Sequence, residues 1–328
     1  MTFDITIGNP PYNNDIYLDF IEFGHNISNK YTCMIVPAKW QAKSGIKNEK
    51  FRERLVPFMD KITVYKDSTE IFDIEEWGGI CYFLLNKDTT YCKNIRFRSN
   101  KNINLNQEYE EHLENPLTLY PNKIIQIINK VKAHGLDKGI VSDNINLARC
   151  IFVDEQDYGE KDRYQDSVEI MQGETLVGYR KATELKTIEN IDKWKIICSI
   201  MPGAVSQMDS QGKALGMFKM TILKPYQVPK GSFPVLKYFD TENECKSFVS
   251  YFNTKTISFL YFLGCCGTTL TYEFFRFIPN TTWDKLYCDN NVVYDNISNE
   301  VQLYSKFDFD ESEIKIIESL IKSRSQNS

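Results

Sequence analysis

The chain has 328 residues, 39 Lys+Arg against 44 Asp+Glu for a formal charge of −5, and 42% hydrophobic residues, the composition of a soluble globular protein of one or two domains. Its longest apolar stretch, Ile257 to Cys266, is well short of the roughly 20 residues a bilayer-spanning helix needs, and the N-terminus MTFDITIGN has no secretory pattern, so no membrane association is expected. Nine cysteines without a CxxC spacing and only three histidines argue against a disulfide framework or a metal site, and a reduced, cytoplasmic compartment is the expectation.

From Phe3 to Asn86 strand-like runs alternate with helical ones, which predicts an α/β layer on a largely parallel sheet. A strand over Phe3 to Ile7 stops at Asn9-Pro10-Pro11-Tyr12, because two prolines cannot continue a central strand. A helix follows over Ile16 to Phe23, with Ile16, Phe20 and Phe23 at helical spacing, then a strand over Tyr31 to Val36 closed by Pro37. A second helix fits Asn48 to Phe58, with Phe51 and Leu55 four apart. Strands over Lys61 to Tyr65 and, past Gly78-Gly79, over Ile80 to Leu85 complete this part.

Beyond Thr90 the chain becomes Asn-rich and charged, and the domain boundary is expected there, with 1–100 as the first domain. Residues 101–135 form a connection with a helix over Asn122 to Ala133. Residues 136–328 form a second, mixed α+β domain with helices over Glu242 to Tyr251 and Glu311 to Lys322. No internal repeat is visible.

Between Lys193 and Lys237 stand seven lysines (Lys193, Lys195, Lys213, Lys219, Lys224, Lys230, Lys237) against Asp209 alone. Interleaved with Trp194, Phe218, Tyr226 and Phe233 and several Gly and Pro turns, this reads as a loop-rich surface lying on phosphates. A solvated face with a few core aromatics is the alternative at even weight.

The sharpest signal is Gly8-Asn9-Pro10-Pro11-Tyr12 directly after the first strand. An Asn-Pro-Pro-Tyr match in a chain of this length arises by chance on the order of one time in a thousand. A proline-stiffened turn explains the prolines but not Asn before them and Tyr after them, at the carboxyl edge of a sheet where α/β ligand sites lie.

The stretch FDITIGNPPYN resembles the catalytic motif of adenine-specific DNA methyltransferases of the restriction-modification type. The resemblance extends over Tyr17 to Phe23, Tyr31 to Trp40 and Lys61 to Asn86, and more weakly over Cys245 to Phe277 and Phe307 to Glu318. It implies half of a doubly wound, Rossmann-like methyltransferase sheet followed by a target-recognition domain, acting on double-stranded DNA with S-adenosyl-L-methionine.

In that reading the Asn9 side-chain oxygen and the Pro10 carbonyl accept the two hydrogens of the adenine amino group, which localises its lone pair and aims it. Pro10 and Pro11 preorganise those acceptors, and Tyr12 stacks on a base swung out of the duplex. Tyr82 or Phe83 would supply the second wall of the base pocket, although core packing is the commoner role of an aromatic in a buried strand. Lys193, Lys195, Lys213, Lys219, Lys224 and Lys230 would hold phosphates.

His25, His112 and His134 read as surface residues, Cys265-Cys266 as buried packing, and Asp4 and Lys39 as exposed residues flanking the motif. The glycine-rich loop that the family uses to cradle the cofactor is not found: Gly264-Cys265-Cys266-Gly267 and the Gly212/Gly216 pair do not fit it, so the cofactor-binding residues are unassigned. The strand Phe3 to Ile7 would then be an open, apolar edge. The expectation is the catalytic-loop and DNA-recognition half of a split enzyme whose cofactor half lies on a partner polypeptide. A non-catalytic DNA-binding or specificity protein derived from such an enzyme is the alternative.

Overall fold

The structure is a computed structural model, and it describes residues 2–41, 46–65, 68–73, 79–88, 94–99, 109–112, 122–201, 213–214, 216, 218–265, 269–281 and 296–322. The chain separates into two compact units. The first comprises 1–129 with 206–214 and 264–267, the second 130–205, 215–263 and 268–328.

The first unit is a six-stranded sheet in the order β1-β2-β4-β3-β5-β6. Its strands are β1 (Phe3–Gly8), β2 (Ser28–Pro37), β3 (Met59–Tyr65), β4 (Ile80–Asn86), β5 (Asn94–Ser99) and β6 (Tyr109–His112), with α1 (Ile16–Ile27) after β1 and α2 (Ile46–Leu55) after β2. The sheet is mixed rather than largely parallel. β1 pairs parallel with β2, but β4 enters antiparallel between β2 and β3, and β6 is antiparallel to β5.

Two side chains with left-handed backbone carry the chain from the proline turn into α1, Asn14 at φ 51° and Asp15 at φ 59°. Asn and Asp take that conformation most readily among residues with a Cβ. The helix buries Tyr17, Leu18 and Ile21, while Ile16, Phe20 and Phe23, the stripe expected from spacing, face solvent. Gly24 permits the close approach: a Cβ there would lie 2.6 Å from Met34 Cε and 3.0 Å from Thr6 Cγ2.

Strand alternation does the rest. Thr32, Met34 and Val36 of β2 and Cys81, Phe83 and Leu85 of β4 are buried, and most join Leu18, Ile21, Trp40, Phe51 and Leu55 in one core on the helix-covered face. Arg52, buried in α2, donates from Nη1 to the carbonyl of Trp40 at 2.6 Å.

α3 (Asn122–Gly135) buries Ile124, Ile127, Ile128 and Val131. The second unit contains β7 (Ser167–Gln172), β8 (Thr175–Lys181), β9 (Trp194–Cys198), β10 (Met220–Leu223), β11 (Gln227–Pro229) and β12 (Val235–Phe239) in two three-stranded sheets, β11-β7-β8 and β10-β9-β12. The helices α4 (Glu242–Phe252), α5 (Lys255–Gly264), α6 (Asn296–Lys306) and α7 (Glu311–Leu320) follow. Strands β9 to β12 thus fall within or across the lysine-rich segment, with Lys195 on β9 and Lys237 on β12.

A capping box starts α4, in which Thr241 and Glu244 satisfy each other's backbone N–H, and another with Asp310 and Glu313 starts α7. The apolar run from Ile257 is α5, whose Tyr261 meets Phe274 edge-on at 5.6 Å and Phe275 at 5.5 Å. At its start the buried Glu300 carboxylate accepts from the backbone N–H of Thr256 at 2.9 Å. Among the described residues no helix is long and apolar enough to cross a membrane.

Candidate functional site

The Asn9–Tyr12 turn leaves β1 at the carboxyl end of the parallel β1–β2 pair, where Gly8 is in register with Met34. Asn9 and Pro11 are exposed, Pro10 is buried and Tyr12 is half-buried. Burial of Pro10 and the fixed φ of two successive prolines hold the turn rigid while the Asn9 carboxamide faces solvent. The Tyr12 hydroxyl donates to Asn9 Oδ1 at 2.8 Å.

Tyr82 is the nearest aromatic of the neighbouring strands on the face away from the helices. It is paired with Ile35 of β2, one residue beyond Met34, and with Thr63 of β3. Its ring is 38% exposed and lies 6.1 Å from that of Tyr65. Phe83 alternates to the opposite face, is 1% exposed and meets Trp40 edge-on at 6.2 Å, so it packs the core and presents no face to a ligand. The strand period of two separates neighbours that the sequence left equivalent.

The lysines of the expected phosphate surface part company. Lys195 is wholly buried, donating to the carbonyls of Ile191 at 2.9 Å and Lys193 at 2.7 Å, and burial pushes its pKa down to about 8. Lys230 is buried too, with its ammonium 3.6 Å from the centre of the Tyr158 ring. Neither presents a charge to a phosphate: Lys195 is turned inward on β9, and Lys230, just past β11, is covered by the Tyr158 ring. Lys193 pairs with Asp240 and Lys219 with Glu174 at 3.0 Å, both on the surface. Lys224 is exposed and Lys213 half-buried.

Other residues fall as follows. His25 is buried, not on the surface: its ring meets that of Phe58 at a tilt with centroids 4.8 Å apart, and burial followed by the Lys87 charge lowers its pKa. His134 and Asp4 are exposed, Lys39 is half-buried and Cys265 is a buried free thiol. Cys266, Asp67, Gly78 and the side chain of His112 lie outside the described residues.

The strand-to-helix passages after β1 and β2 run Gly8-Asn9-Pro10-Pro11-Tyr12 and Pro37-Ala38-Lys39-Trp40-Gln41. Neither described stretch is a glycine-rich turn, the form in which backbone N–H groups cradle a nucleoside cofactor. On its other side β1 has no strand partner among the described residues, and Ile5 and Ile7 stand exposed there, Ile7 at 78%.

Comparison with known proteins bears on the same unit. Residues 13–72 match the family model described as Eco57I restriction-modification methylase, beginning directly after Tyr12. The chain is 34% identical over 99 residues to an uncharacterized adenine-specific methylase of Mycoplasma pneumoniae, covering 26% of this chain and 24% of that protein. It thus spans about a quarter of the length of the curated relative it matches. Among solved structures it is similar to the type I restriction-modification system methyltransferase subunit from Streptococcus thermophilus, with TM-score 0.26, 14% identity, and coverage of 40% of this chain and 32% of that one. It is also similar to the type IIG restriction endonuclease BpuSI, with TM-score 0.34, 12% identity, and coverage of 93% and 49%. The first unit therefore carries a restriction-modification methylase sequence signature on a mixed α/β sheet.

Proposed function

We propose that this chain is the base-handling and DNA-recognition part of an adenine-specific DNA methyltransferase of a restriction-modification system, its first unit half of a Rossmann-like sheet. The observation that carries the reading is the solvent-facing carboxamide of Asn9, on a doubly proline-stiffened turn at the carboxyl end of β1 with Tyr12 beside it. The methylase family match adjoining that turn supports it.

The chemistry follows from the acceptors. An adenine amino nitrogen is a weak nucleophile because its lone pair is shared with the ring. Asn9 Oδ1 and the Pro10 carbonyl accept its two hydrogens and so leave the lone pair localised and directed. In the base-free turn the Tyr12 hydroxyl occupies the oxygen that the amino group needs, so base entry exchanges one hydrogen bond for another as the Tyr12 ring turns to stack. Tyr82, on the open face of the sheet, supplies the second flat wall. Lys219 and Lys224, exposed in the second unit, are the lysines of the run that would meet phosphates.

S-adenosyl-L-methionine, the methyl donor of such enzymes, is held elsewhere than on the described residues. The unpaired edge of β1, with Ile5 and Ile7 exposed and Phe20 and Phe23 exposed on α1, fits a second polypeptide that continues the sheet and brings that site. A specificity module that binds DNA without catalysis is the competing reading.

Transfer of a labelled methyl group from S-adenosyl-L-methionine to unmethylated DNA, by the chain with its partner polypeptide, separates the two. Asn9→Ala is expected to lower transfer about 100-fold or more while DNA retention stays at the wild-type level. Undiminished transfer by Asn9→Ala overturns the assignment of Asn9. Absence of transfer in every partner combination leaves the binding module.

A further inference from the structure

Between β10 and β11 the chain turns through Lys224-Pro225-Tyr226-Gln227. The Gln227 N–H closes the turn on the Lys224 carbonyl at 3.1 Å, proline holds the second position, and Tyr226 sits at φ 64° in the third. This is the pattern of a type II turn, whose third position calls for glycine or asparagine. Of the seven residues other than glycine at positive φ, five are Asn or Asp, and Tyr226 is the bulkiest exception.

The conformation is firmly held. The Tyr226 N–H donates to the Ile191 carbonyl at 2.8 Å, and its own carbonyl accepts from the Glu169 N–H at 3.1 Å. The Gln227 side chain accepts from the Lys224 N–H at 2.9 Å and donates to Glu169 at 2.7 Å. The ring so presented gains little in return, being 57% exposed. The loop that accepts the Tyr226 N–H carries Ile188, also exposed. Lys224, in the same four residues, is exposed and among the described residues makes no ion pair.

A strained, rigidly seated aromatic held in solvent beside a cation is a feature that folding alone would discard. We propose that Tyr226 is a DNA-contacting wedge: its ring enters the duplex groove and packs on a base step while Lys224 meets the adjacent phosphate. The assignment rests on the DNA reading above, and it adds a residue in the second unit whose loss leaves the Asn9 turn intact. An aromatic seated on bases discriminates by stacking, and the neighbouring lysine contributes through counterion release.

The test uses the full chain and the pool of random-sequence duplex DNA that survives repeated selection on the wild type. Tyr226→Gly is expected to bind that pool about 5- to 100-fold more weakly with an unchanged slope of log affinity against log salt. The same variant should melt about 2–4 °C higher, because the strain is relieved. Tyr226→Phe should bind like wild type, and Lys224→Ala should lower the salt slope by about one.

Wild-type affinity in Tyr226→Gly overturns the wedge while leaving the DNA reading in place, and a higher melting temperature without a binding defect does the same. Binding lost together with stability, in Tyr226→Phe as well as Tyr226→Gly, assigns Tyr226 a structural role and overturns it also. If the wild type selects no duplex, both the wedge and the DNA reading fall.

Discussion

In the first unit Ile7 stands 78% exposed on β1 and Phe23 62% exposed on α1, whereas in the second the ammonium of Lys195 sits wholly buried on β9. The two departures from apolar-in, charged-out differ in sign. An exposed Ile7 or Phe23 forgoes a gain that some other surface can still supply, so it costs the isolated fold little. A buried ammonium carries a desolvation cost whenever it is charged, which two backbone carbonyls offset only in part. The first region is thus unfinished business for assembly, and the second is a settled part of a core.

Mutation breaks this comparison most sharply within the first unit. Phe83→Ala should cost about 3–5 kcal/mol and Leu18→Ala about 2–5 kcal/mol of unfolding free energy, because both empty the helix-covered core. Tyr82→Ala and Phe23→Ala, one residue away from Phe83 and five from Leu18, should cost under about 0.5 kcal/mol as surface positions. Urea midpoints decide it. Equal losses at Phe83 and Tyr82 would mean that both faces of the sheet are packed in solution and that the open face is not a free surface. Ile7→Ser should leave the midpoint unchanged and weaken association with the partner polypeptide proposed above.

The next effect tests the buried charge. The folded pKa of Lys195 is about 8 against 10.5 for the free side chain, so between those values the unfolded chain binds the extra proton and stability rises with pH. Burial raises the Cys198 thiol, and that of Cys245 to about 12, so between an unfolded thiol's pKa and these raised values stability falls with rising pH. The lysine contribution is therefore read as a difference. From pH 8 to 10.5 wild type should gain on the order of 2 kcal/mol relative to Lys195→Met, measured by denaturant melts across that range. A constant difference would show that the ammonium is hydrated in solution.

These cases also explain what sequence could deliver. The first four strands and both helices of the first unit were legible to within a few residues, because proline and glycine punctuate them and their apolar runs are short and dense. The buried stripe of α1 was not: Ile16, Phe20 and Phe23 share helical spacing, but Tyr17, Leu18 and Ile21 do so as well, and only the sheet beneath decides which side is core. The direction of β4 was hidden for a like reason, since a local pattern carries no sign.

The lysine run misled because composition averages over residues that the fold sorts one by one, burying Lys195 and Lys230 while Lys219 and Lys224 stay exposed. Trp194 to Cys198 reads as a β-strand once Ile196 and Ile197 outweigh Lys195, a signal that was present and given too little weight. The turn at Asn9 was the reverse case. The chemistry proposed for it lies in four consecutive residues, so no tertiary information was needed to single it out, whereas the choice between Tyr82 and Phe83 needed the face of a sheet.

The smallest effect belongs to a lysine of the same run that stayed outside. Lys219 and Glu174 are both more than 60% exposed and pair at 3.0 Å. A pair of this kind contributes under about 0.5 kcal/mol, screened further by salt, so Lys219→Ala should leave the urea midpoint within error. That cheapness is what would let Lys219 change partners: giving up the carboxylate costs almost nothing, and a phosphate offers counterion release that Glu174 does not. Lys219→Ala should therefore lower the salt slope of duplex binding by about one, and Glu174→Gln should strengthen binding at low salt by freeing the ammonium. An unchanged slope in Lys219→Ala would mean that Lys219 keeps Glu174 and takes no part in phosphate contact.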